Sequence, residues 1–172
     1  KGGSKMGKTQ SLNCFSHHAP KMDWFQQYFD YRNDFKEKHT LGSQMFNFFK
    51  RFLKDADLQD ENGFTRFAEI VGDIGLDNEL AWALILANMA YNPQIGWYVK
   101  NVKFNETLSK EYICSILVDS GADEKWVGDV WSSFGRFLDL PFSHVGMGDS
   151  VKEKNRFVAL YRTGWNNPDE RV

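Results

Sequence analysis

Apolar residues recur at three- and four-residue intervals through most of this chain, a pattern that predicts a mainly helical protein. Trp24, Phe25, Tyr28, Phe29 and Phe35 fall on one face of a helix over 21–36, with Asp23 as its cap. Leu41, Met45, Phe46, Phe49, Phe52 and Leu53 form a second stripe, from near Thr40 to before Asp57, and the two together predict a helical hairpin over 21–60. The run Asp55 to Gly63 is acidic, turn-rich and without period, and reads as a linker. Thr65 to Ile74 is a third helix, capped by Thr65 and closed by Gly75. Leu80 to Ala90 is apolar on every face, as expected of a central helix buried on all sides; Asp77 or Asn78 caps it and Asn92-Pro93 stops it. At roughly 16 Å it is too short for a ~30 Å hydrocarbon core, so no contact with a membrane is expected from it.

Gln94 to Lys100 has helix-like spacing, although Gly96 and its β-formers leave a strand open. Val102 to Glu106 can extend, and Ser109 then caps a helix with Tyr112, Ile113, Ile116 and Leu117 inward, closed by Gly121. Asp123 caps another that carries Trp126, Val127, Val130, Trp131, Phe134, Phe137 and Leu138. Phe142 to Met147 and Arg156 to Arg162 follow as two strands of a β-hairpin. Helix, short strand, helix, helix, hairpin is the order of a winged helix. The expected fold is therefore mainly α: a flexible basic lead-in (1–20), a helical hairpin (21–60), and a winged-helix-like domain with a small β-hairpin (61–172), truncated at its C-terminus. Both ends read as cut from a longer chain.

Composition narrows this picture. A length of 172 residues can bury a substantial core but cannot hold two enzymatic domains. The formal net charge of -2 gives no overall attraction to nucleic acid or anionic lipid, so any such contact must be local. The 15 Phe and 6 Trp suit a core built on large rings. Cys14 and Cys114 are the only cysteines and nothing before them resembles a signal peptide, which points to a reducing cytoplasm.

Candidate chemistry is sparse. Gly2 to Thr9 matches the phosphate-binding loop G-x-x-x-x-G-K-[ST], with Gly7, Lys8 and Thr9 as nucleotide contacts, but only Lys1 precedes it where a strand is needed. Cys14, His17 and His18 offer three metal ligands in a short span, without the second half of a structural zinc site. The helix from Asp123 carries Asp123, Glu124 and Asp129 against Lys125 and Arg136, and would repel phosphates in a major groove. The hairpin is better supplied: Lys152, Lys154, Arg156 and Arg162 could touch a nucleic-acid backbone. No catalytic Ser-His-Asp or Cys-His order stands out, Cys114 lies among apolar helix positions as an inert thiol would, and no cofactor is called for.

Several runs carry a family resemblance. Gly72-Asp73-Ile74-Gly75-Leu76, Ala83-Leu84-Ile85-Leu86-Ala87-Asn88 with Tyr91-Asn92-Pro93-Gln94-Ile95, and Trp97-Tyr98-Val99-Lys100-Asn101 resemble the region after the catalytic core in bacterial phosphoadenosine phosphosulfate reductase-like proteins. Leu140-Pro141-Phe142 and Asn167-Pro168-Asp169-Glu170-Arg171-Val172 are also similar, so the likeness covers roughly Gly42 to Val172. The family's Ser-Gly-Gly-x-Asp-Ser turn and the cluster-binding cysteines of some relatives are absent from this sequence, and no catalytic residue carries over. The resemblance implies a non-catalytic accessory region of a sulfur-transfer protein, with the missing catalytic core or another protein as partner and DNA modification or defence as one setting. The alternatives are a winged-helix nucleic-acid-binding domain and, behind it, a P-loop nucleotide-binding protein.

Overall fold

The first aromatic stripe folds as a helix, but a shorter one than its spacing predicts. In the computed structural model, which describes residues 11–165, α1 spans Met22–Tyr31 and ends where Arg32 takes a positive φ of 49°. A single 3-10 turn and the one-turn helix α2 (Phe35–Lys38) follow. Asp23 is not the cap: it lies inside the first turn, where its carboxylate accepts from Gln27 at 3.4 Å. Gln27 also exchanges two hydrogen bonds with Thr40, 2.9 and 3.0 Å, which draws the connection back onto α1 before α3 (Ser43–Asp55) begins.

The acidic run after α3 is a built turn and not a loose linker. Strands β1 (Gln59–Asp60) and β2 (Gly63–Phe64) pair antiparallel across it. Ala56 and Leu58 are fully buried, the Tyr28 hydroxyl donates to Leu58 O at 2.6 Å, and the Thr65 hydroxyl donates to Asp57 O at 2.6 Å. The polar composition of the run hides this, because its two apolar side chains, Ala56 and Leu58, and its backbone carbonyls supply the inward contacts. A boundary drawn at 60/61 thus falls inside a paired turn.

Helix α4 (Arg66–Ile74) starts as expected, with the Thr65 hydroxyl accepting from Ala68 N at 3.0 Å, and stops at Gly75. Asn78 caps α5 (Glu79–Met89). Contrary to expectation, α5 is not enclosed: Ala81, Trp82, Ile85 and Met89 form its buried stripe, while Leu80 and Leu84 are only half-buried and Ala87 is exposed. Asn92 and Pro93 both end that helix and start α6 (Pro93–Asn101), with the Asn92 carbonyl oxygen accepting from Gln94 N and Ile95 N. The strand alternative for 94–100 is thereby set aside; Pro at a first helical position is preorganised for a helix.

After α6 come β3 (Thr107–Ser109), α7 (Lys110–Asp119), capped by Ser109, and α8 (Val127–Phe137). Phe142 to Met147 is not a strand. Pro141 opens a 3-10 turn over Pro141–Val145 that buries Phe142 and Val145, and the hairpin starts later, with β4 (Asp149–Glu153) and β5 (Arg156–Tyr161). Gly148, at φ 87°, is forced by contact, since a Cβ there would lie 2.4 Å from Arg162 Cα and from Tyr161 O. The three strands form an antiparallel sheet in the order β3-β5-β4, with Leu160 opposite both Leu108 and Ser150.

The protein is mainly helical with a small β part, and one connected apolar cluster runs from Cys14 to Leu160. Rings carry it: Phe25 meets Trp82 at 5.0 Å, Trp82 meets Phe142 at 5.1 Å, and Phe15 meets Phe137 at 5.6 Å, most of them edge to face. Helices from 21–60 and elements from 61–165 therefore share a core. Residues 1–10 of the expected flexible lead-in lie outside the described residues, but its second half is packed, with Phe15 wholly buried and Cys14 and Ala19 nearly so.

Candidate functional site

The hairpin β4–β5 turns at Lys154 and Asn155, both with positive φ (49° and 64°), the conformation that lets two strands reverse in two residues. Lys152, Lys154 and Arg156 are exposed there, as the wing reading requires. Glu153 is exposed among them, and the Lys152 ammonium lies 3.6 Å from the Asp139 carboxylate. Arg162 does not belong to this set. It is 5% exposed, and its guanidinium donates to Gly146 O, Val99 O and Val102 O at 2.8–2.9 Å while lying over the Phe104 ring at 4.0 Å. Buried and turned onto carbonyls at the end of α6 and on the turn before β4, it is not presented to a phosphate at the surface.

Helix α8 is the helix that begins after Asp123 and precedes the β4–β5 hairpin, the one whose acidic start argues against contact with a major groove. Val130, Trp131, Ser133, Phe134, Gly135 and Phe137 are all buried, leaving Gly128, Ser132 and Arg136 as its exposed stripe. On one side Phe157 of β5 stacks on Trp131 at 4.0 Å, and Gly135 makes room for that ring, since a Cβ at Gly135 would be 2.5 Å from it. On the other side lies the segment 14–19. A buried polar relay fastens it: Cys14 N donates to Gln94 Oε1 (3.0 Å), Gln94 Nε2 donates to Ser133 Oγ (2.8 Å), and Ser133 Oγ donates to His18 O (2.6 Å). Gln94 and Ser133 are fully buried, and nothing in the one-dimensional pattern marks them. They are the residues that sequence reasoning missed; a Gln directly after an Asn-Pro helix start looks like any solvated first-turn residue.

The relay also fixes the backbone of Cys14 and His18, two of the three candidate metal ligands. Cys14 faces inward, its thiol 3.5 Å from Ser11 O and its pKa raised mainly by burial, so it is held protonated. The His17 and His18 rings lie 3.9 Å apart, tilted by 38°, with His17 exposed and His18 half-buried, and no group of three His, Cys, Asp or Glu side chains among the described residues is placed to hold a metal ion. The pKa of the Cys114 thiol is likewise pushed up by burial. Gly7, Lys8 and Thr9 lie outside the described residues.

Apolar surface is concentrated elsewhere. Leu80, Leu84, Ala87 and Tyr91 line up along the outward side of α5 and its end, and Tyr91 is 90% exposed. No described helix is long and apolar enough to cross a membrane. Searches against protein-family models, curated proteins and solved structures find nothing that matches this chain.

Proposed function

We propose that this chain is a winged-helix-like interaction module, the non-catalytic accessory region of a phosphoadenosine phosphosulfate reductase-like protein of the sulfur-transfer type. The order α6, β3, α7, α8, β4, β5 and the strand order β3-β5-β4 support the winged-helix reading. The residues from Gly42 to Val172 that resemble the post-core region of that family support the wider one. The observation that favours protein contact over base reading is the burial of most of α8, partly beneath residues 14–19: its exposed stripe is Gly128, Ser132 and Arg136, a single cation, which offers little to base edges or phosphates. Two free thiols, one of them buried, suit a reducing cytoplasm.

The second reading is backbone contact through the wing, favoured by the exposure of Lys152, Lys154 and Arg156. Three cations, one already beside Asp139, neutralise few phosphates, and affinity from so few contacts falls away with salt. Fluorescence anisotropy with a random duplex across a salt series separates the two. We expect no binding near physiological salt, about 0.15 M, and association in a sedimentation experiment with a reductase-type catalytic core supplied as a separate chain. Tight duplex binding at that salt, abolished by Lys152→Ala and Lys154→Ala, overturns the choice.

A further inference from the structure

Beside the covered end of α8 lies a hollow of about 280 Å³ between residues 18–24 and 40–45. Its rim is cationic. Lys21 and Arg136 line it and are exposed, and among the described residues neither has a carboxylate within ion-pair distance. His18 lines it too; its pKa is lowered, first by burial and then by the charges of His17, Arg136 and Lys21, with Asp129 opposing. The other wall is apolar, made by Trp24, Leu41 and Met45.

Two helices begin at this hollow. Lys21 is the N-cap residue of α1 and Gly42 that of α3, and neither start has a side-chain cap, so the first amides of both helices keep their donors unclaimed by any capping side chain. Those helix ends add partial positive charge to the side chains already there. Thr65, Asn78, Asn92 and Ser109 cap four other helices with side-chain oxygen, while α2 and α8, like α1 and α3, have no side-chain cap. Three elements bring donors to the hollow, Arg136 from α8, Lys21 with the start of α1, and the start of α3, and a tetrahedral dianion offers them three free oxygens where a planar carboxylate offers two.

We propose that this hollow binds a small organic phosphate, a phosphomonoester whose phosphoryl oxygens meet Arg136 and Lys21 and whose body rests on Trp24, Leu41 and Met45. The site is independent of the winged-helix reading, and it gives Arg136, on the exposed stripe of α8, a role that DNA reading does not. A mostly polar mouth with one ring-sized apolar wall fits a ligand the size of phenyl phosphate.

Calorimetric titration of the whole chain with phenyl phosphate, inorganic phosphate and benzoate tests this. Phenyl phosphate is expected to bind saturably and more tightly than inorganic phosphate, because only it reaches the apolar wall, and benzoate is expected to bind more weakly than phenyl phosphate. Arg136→Gln and Lys21→Gln, both at exposed positions, should each weaken phenyl phosphate about tenfold, the loss of one charge-assisted contact, with an unchanged thermal melt. Lys100→Gln, outside the lining, should leave binding as it is. Absence of saturation, equal binding of benzoate and phenyl phosphate, or affinity unmoved by Arg136→Gln and Lys21→Gln in folded protein overturns the proposal.

Discussion

The guanidinium of Arg162 closes the C-terminal end of α6. It takes two of that helix's final carbonyls, Val99 O and Val102 O, together with Gly146 O, and is roofed by Phe104 and Tyr98. The Arg162 fork meets its three acceptors from two separate nitrogens, Nε and Nη1, a spread that the single nitrogen of an ammonium does not reproduce, so Arg162→Lys is expected to lower stability by about 2 kcal/mol or more in a urea titration. Lys154→Ala, on the exposed turn of the same hairpin, should stay within about 0.5 kcal/mol. Tyr98 and Tyr28 are the other buried polar anchors; their hydroxyls donate to Met147 O and Leu58 O, and burial pushes both phenols well above the ordinary tyrosine range. The folded state therefore binds these protons more tightly than the unfolded chain. Their contribution is fully present below pH about 10 and is lost as pH rises beyond it. A melt series from neutral to strongly alkaline pH should show the decline, and Tyr98→Phe should flatten part of it.

Among the elements, α5 departs from the role its pattern predicts, while α8 buries the apolar side its pattern marks. The all-apolar α5 has one buried stripe, so Ile85→Asp, which places an unpaired charge at a fully buried position, should leave no cooperative melt by circular dichroism. Leu84→Asp sits on the half-buried side and should still melt cooperatively, at a lower temperature. Matching loss of structure in both variants would show that α5 is enclosed after all. In α8, Gly135→Ala drives a methyl into the Phe157 ring and should cost about 1–3 kcal/mol even though alanine is the better helix former. Caps at Thr65 and Ser109, the stop at Gly75 and the stripes of α1 and α3 were readable because they depend on neighbours within a turn. The burial of α8 depends on Cys14 to Ala19, more than a hundred positions away in the chain, and no local period encodes it.

For the molecule as a whole, the segment before α1 is a structural member. Phe15 is wholly buried against Phe52 and Phe137, and Phe15→Ala should lower stability by about 3–5 kcal/mol in a denaturant titration, where a flexible lead-in would register nothing. Helical class and the helix starts at Thr65 and Ser109 follow from sequence alone, because propensity, capping and apolar period act over a few residues. Which surface remains open is a different kind of quantity. The polar run at 55–63 turns inward through Ala56, Leu58 and its backbone carbonyls, Arg162 leaves the basic wing to satisfy helix carbonyls, and Cys14 parts from His17 and His18. Lys21, Gly42 and Arg136 meet around one hollow although they lie far apart in the chain. Each of these outcomes was decided by the three-dimensional packing of remote segments, since burial and hydrogen-bond satisfaction depend on what lies adjacent in space and not on what lies adjacent in sequence.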